Sequence, residues 1–142
     1  MKKYFILILI IISVNSIFAN EKSFKSLDST IRFVSEDGLW QVGERYGRYR
    51  LIVEVLGWEH TRSFLYIQWI ENFPKERKLK VISSIPVLEF NQKDWRYFSS
   101  ATFDYDKYII RYQNRGRETD QEAILKPGTP GEYKIQIAEE PL

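Results

Sequence analysis

Apolar and polar residues alternate along most of this chain, and that two-residue period is typical of strands with one buried face. The period is clearest in two runs, 47–56 and 61–70, whose apolar positions share one face: Tyr49, Leu51, Val53, Val55, Leu65, Ile67 and Trp69. A four-residue link that begins with Gly57 joins the two runs. This arrangement predicts a β-hairpin.

Further short strands are predicted along the rest of the chain, separated by turn-forming residues. Glu36-Asp37-Gly38 predicts a turn before residues 39–42, and Pro86 makes residues 87–90 a separate short strand or an edge. Two later runs are expected to bury alternate residues: Tyr108, Ile110, Tyr112, Tyr133, Ile135 and Ile137. No apolar stripe of helical spacing is sustained, so little helix is expected. About eight strands with frequent turn signals predict an all-β, antiparallel β-sandwich.

The first nineteen residues have the layout of a secretory signal peptide. Lys2 and Lys3 precede an apolar run over residues 4–12, and Ala19 provides a small residue at the expected cleavage site. That run is shorter than the roughly 20 residues that a membrane-spanning helix needs. We therefore expect residues 20–142 to form one mature domain that is periplasmic or secreted, without a stable membrane anchor once the leader is cleaved.

Composition narrows the function classes. Removing Lys2 and Lys3 from the 21 basic residues leaves 19, which equals the number of acidic residues. A neutral domain lacks the basic face that nucleic-acid binding requires, so no nucleic-acid partner is expected. Because the chain has no cysteine, thiol catalysis, cysteine-bound metal and a lipidated cysteine at the cleavage site are excluded. The core must hold the fold without disulfides.

The candidate chemical groups do not form a recognisable catalytic or metal-binding motif. His60 is the single histidine, and Glu59 precedes it, but no metal-binding spacing surrounds the pair. Asp104 and Asp106 lie two residues apart in a predicted turn, where aspartate is common for its backbone hydrogen bonds. We expect a non-catalytic protein with no cofactor and no metal. A small hydrolase that uses two carboxylates is the third alternative, since the acidic residues allow many pairs.

The candidate partner-binding residues cluster at the tip of the predicted hairpin and on its face away from the core: Trp58, Glu59, His60, Arg62, Phe64 and Tyr66. Aromatic residues and arginine are enriched at protein interfaces. Burial of this face under other parts of the chain is the competing explanation. The leading hypothesis is an exported protein of inhibitor or immunity type that binds another protein in the periplasm. A carbohydrate-binding module that stacks polysaccharide on Trp58, Trp40 or Trp95 is the alternative.

Overall fold

The computed structural model of the protein describes residues 29–57, 61–92, 96–116 and 119–137. Its elements in chain order are β1 (Ile31–Val42), β2 (Arg45–Leu56), β3 (Arg62–Phe73), β4 (Lys78–Pro86), α1 (Leu88–Asn91), β5 (Arg96–Asp104), β6 (Lys107–Asn114), β7 (Gln121–Pro127) and β8 (Tyr133–Ile137). The predicted β-rich class with almost no helix is confirmed. The first three strands have 12 residues each and are longer than the sequence pattern suggested.

The strands form two antiparallel sheets of four, in the orders β1-β2-β3-β4 and β5-β6-β7-β8. Each sheet joins strands that follow one another in the chain. In the β2–β3 ladder Leu51 pairs with Ile67 and Val53 pairs with Leu65, so the predicted hairpin is confirmed. All four of these side chains are fully buried, as the alternation predicted.

Buried residues of both sheets form one hydrophobic cluster. Its members are Trp40, Tyr49, Leu51, Val53, Leu65, Ile67, Trp69, Val87, Phe90, Tyr108, Ile110, Tyr112, Ala123 and Leu125. Hydrogen bonds also join the sheets: Trp69 Nε1 donates to the Gly128 carbonyl at 3.0 Å, and the Phe98 N–H donates to Ser63 Oγ at 2.9 Å. The inner faces of the two sheets therefore share a core.

The predicted turn at Glu36-Asp37-Gly38 was wrong, because strand β1 continues through these residues. Gly38 has a φ of +66°, and the β1–β2 register shifts between Asp37 and Trp40. A Cβ atom on Gly38 would lie 2.3 Å from an atom of the Phe103 ring. The glycine thus permits a bulge within a strand and close approach of an aromatic ring from the other sheet.

A second prediction was wrong, because residues 87–90 do not form a strand. Val87 precedes a single helical turn, α1, and residues 88–90 form most of that turn. Val87 and Phe90 are fully buried and anchor this turn in the core. Beyond the end of β4, Asn91 takes over part of the pairing with β3. Its Oδ1 accepts the Leu65 N–H at 2.8 Å, and its Nδ2 donates to the Leu65 carbonyl at 2.9 Å. The Leu65 carbonyl also accepts the Val87 N–H at 2.9 Å, so side-chain and backbone hydrogen bonds together replace strand pairing at this end of the sheet.

The predicted signal peptide, residues 1–19, and the following residues 20–28 lie outside the described residues. Both the leader and the single mature domain stay predictions. Within the described ranges, no helix combines the length and the apolar character that crossing a membrane requires.

Candidate functional site

The face of β1–β4 that points away from the shared core, which we call the outer face, carries Phe64 and Tyr66. Tyr66 pairs directly with Ile52, and Phe64 pairs with Glu54. The next residue along the same face of β2, Arg50, pairs with Gln68. Two-residue alternation predicts the face of the sheet on which a side chain lies. Only the strand register shows which residues are paired across neighbouring strands.

Arg62 and Phe64 lie two residues apart on the outer face and contact each other. The Arg62 guanidinium carbon lies 4.6 Å from the centroid of the Phe64 ring, within the range of a cation–π interaction. The Nη2 group of Arg62 also donates to the Asn91 carbonyl oxygen. Because the guanidinium is held by both contacts, the cation and the ring form one ordered surface.

Tyr66 is oriented by a buried carboxylate. Glu54 is only 1% exposed although it lies on the outer face. Its Oε1 accepts a hydrogen bond from Thr30 Oγ1 at 2.9 Å, and its Oε2 accepts one from the Tyr66 hydroxyl at 3.2 Å. The bond from Glu54, on the neighbouring strand β2, therefore positions the tyrosine ring, while Phe64 contacts Arg62 of its own strand.

A row of polar side chains crosses all four strands next to these aromatic residues. Arg50 Nε donates to Glu36 Oε1 at 2.8 Å, and Arg50 Nη1 donates to Gln68 Oε1 at 3.3 Å. Gln68 Nε2 continues the row to Ser84 Oγ at 3.1 Å. The sequence pattern does not reveal this row, because only the strand register shows which polar residues are neighbours.

Some apolar side chains on the outer face are exposed to solvent, whereas Ile52 and Ile70 on the same face are each only 3% exposed. Val34, which pairs with Ile52, is 43% exposed, and Leu79, which pairs with Asn72, is 62% exposed. Tyr46 accepts a hydrogen bond from Asn72 at its hydroxyl and is 41% exposed. The outer face thus combines solvent-exposed apolar groups, ordered aromatic rings and arginine.

The predicted hairpin tip, Trp58, Glu59 and His60, lies outside the described residues, as does Trp95. Trp40 is only 3% exposed and belongs to the hydrophobic cluster, which excludes it as a stacking platform for sugar. That part of the carbohydrate alternative was wrong, because the β1 bulge turns this tryptophan into the core. Across the described ranges no group of three or more histidine, aspartate or glutamate side chains is placed to hold a metal ion.

Comparison with known proteins gives no relative for this chain. No protein-family model matches it, and neither does any curated protein or solved structure.

Proposed function

We propose that this chain is an exported, non-catalytic protein whose two sheets pack as a β-sandwich and whose outer face, with the adjoining hairpin tip, binds another protein. The role that we assign is that of an inhibitor or immunity-type protein acting in the periplasm or outside the cell. The single observation that carries this proposal is the ordered pairing of Arg62 with Phe64 beside Tyr66. The sequence supports export through its predicted leader.

The outer face has the composition and the order that favour protein recognition. Tyrosine, phenylalanine and arginine are enriched in interface cores, where a few such residues carry most of the binding energy. Here Glu54 holds the Tyr66 hydroxyl, and the Arg62 guanidinium is held by the Asn91 carbonyl and the Phe64 ring. Binding through pre-positioned side chains loses less conformational entropy than binding through mobile ones.

The test is capture of a partner by the tagged protein, expressed as the full chain and incubated with periplasmic extracts of native and of related competitor cells. We expect one protein to be recovered at about equal molar amounts. Val34→Glu places a charge on an exposed apolar position of the outer face and should abolish this recovery. Desolvating the new carboxylate without a partner is costly at an interface.

Thr102→Glu is the matched control, since Thr102 is an exposed residue of β5 in the other sheet. It should leave the captured protein unchanged. Two results would overturn the proposal: no protein recovered in stoichiometric amount from either extract, or equal loss of capture with Val34→Glu and with Thr102→Glu. Circular dichroism of both variants establishes that they are folded.

A further inference from the structure

Three of the four sheet edges carry irregularities that disfavour pairing with another strand. Strand β1 has two extra residues relative to β2, at the register shifts between Ile31 and Phe33 and between Asp37 and Trp40. Strand β4 has one extra residue relative to β3, and β5 has one relative to β6. Bulges twist an edge away from incoming strands and are a known protection against association.

Strand β8 is the exception among the four edges. Its pairing with β7 runs without a register shift from Tyr133↔Pro127 to Ile137↔Ala123. Within the described part of the chain, β8 pairs with β7 alone. An edge of this kind offers its unpaired backbone N–H and C=O groups as a template for another strand.

Strand β8 is also fixed in position at its first residue. The Tyr133 hydroxyl accepts a hydrogen bond from the Leu88 N–H at 3.0 Å and donates one to Glu89 Oε2 at 2.7 Å. Burial and the neighbouring Glu89 carboxylate raise the pKa of Tyr133 to about 12, so this contact persists at neutral pH. The edge is therefore ordered before any partner arrives.

We propose that the β8 edge pairs with the β8 edge of a second copy of this chain, which joins two four-stranded sheets into one of eight strands. Antiparallel pairing about a two-fold axis at Ile135 places Tyr133 opposite Ile137 of the second copy. On the other face Lys134 lies opposite Gln136 of that copy, so the two copies of Lys134 are not directly paired. The partly buried Tyr133, Ile135 and Ile137 would continue the apolar inner face across the junction.

A second copy of this chain is the partner that the sequence of β8 fits best. Lys134 is the single charged residue of the strand, and the symmetric register separates the two copies of it. Any register that placed Lys134 opposite its own copy would be destabilised by repulsion. The β8 edge is a different surface from the outer face. The failure of one proposal therefore does not affect the other.

The test is the concentration dependence of the molar mass of the purified protein, measured by sedimentation. Gln136 is exposed, so its substitutions act on the pairing and not on the core. Gln136→Glu should tighten the dimer, because each Lys134 then faces a carboxylate. Gln136→Lys should weaken it, because each Lys134 then faces an ammonium group. With two such pairs per dimer, each change should shift the dissociation constant by about 2- to 30-fold.

Thr102→Glu and Thr102→Lys on the bulged β5 edge are the controls and should not change the dissociation constant. A monomer at every concentration up to the millimolar range would overturn the proposal. A dimer whose dissociation constant does not respond to the sign of the charge at position 136 would also overturn it, because it would place the contact elsewhere.

Discussion

At the residue scale, the absence of a side chain at glycine determines which backbone conformation and which close contacts are possible. Gly38 and Gly43 have nearly the same backbone angle, with φ values of +66° and +61°. Their surroundings differ: a Cβ atom on Gly43 would meet nothing within 4 Å, whereas one on Gly38 would collide with Phe103 and Tyr49. The two positions therefore separate backbone strain from packing.

Gly38→Ala should destabilise the protein more than Gly43→Ala does. Gly43→Ala introduces the left-handed strain alone, which costs about 1–2 kcal/mol. Gly38→Ala adds the displacement of an aromatic ring in the core, for a further loss of about 1–3 kcal/mol. Urea unfolding of both variants measures the difference in the free energy of unfolding. Equal losses would show that Phe103 does not pack against Gly38.

A second prediction at this scale concerns the ion pair between Arg45 and Glu71. Arg45 Nε and Nη2 donate to the two carboxylate oxygens of Glu71 at 2.9 and 2.6 Å. This hydrogen bonding holds the pKa of the Glu71 carboxyl below its usual value of 4.5. Because the pKa is lower in the folded state, the pair stabilises the protein above the ordinary glutamate pKa. That contribution is lost as the pH falls through the lowered value.

Glu71→Gln tests this pH dependence. The difference in the free energy of unfolding between the protein and the variant should be largest near neutral pH and should shrink below about pH 4.5. Urea unfolding across a series of buffers gives the profile. A difference that stays constant into the acid range would mean that the ionisation of Glu71 contributes nothing.

At the element scale, the side chain of Asn91 replaces a missing strand partner. Beyond the end of β4, its amide group bonds both the N–H and the C=O of Leu65. Asn91→Ala should cost about 1–3 kcal/mol, because the buried Leu65 N–H loses its hydrogen-bond partner. Gln92→Ala, one residue further on and exposed, is the control and should change stability by less than about 0.5 kcal/mol. Similar losses in both variants, measured by thermal unfolding, would contradict this role of Asn91.

The elements also show what the sequence can and cannot reveal. Two-residue alternation correctly identified the β2–β3 hairpin and its buried face, because that period reports directly on burial. It mistook Gly38 for a turn, since glycine marks both turns and bulges and only packing distinguishes them. It missed α1, because one helical turn is too short to show a helical period. The contact between Arg62 and Phe64 was hidden as well, although their spacing placed both residues on one face.

At the scale of the whole molecule, the two faces of the β1–β4 sheet have different surroundings. The inner face contributes Leu51, Ile67 and Trp69 to the core shared with the other sheet. The outer face presents Phe64 and Tyr66 in positions fixed by hydrogen bonds and a cation–π contact. Under the proposed function, the shared core supplies the rigidity that recognition on the outer face requires.

The affinity of variants for the captured partner shows whether the outer face recognises another protein. Phe64→Ala removes the ring beneath Arg62, while Tyr105→Ala removes a 94%-exposed ring from the β5–β6 turn in the other sheet. By calorimetry, Phe64→Ala should raise the dissociation constant by about tenfold or more, the range typical of an interface hot spot. Tyr105→Ala should change it less than about twofold. Equal effects, or a larger effect from Tyr105→Ala, would contradict recognition through the outer face.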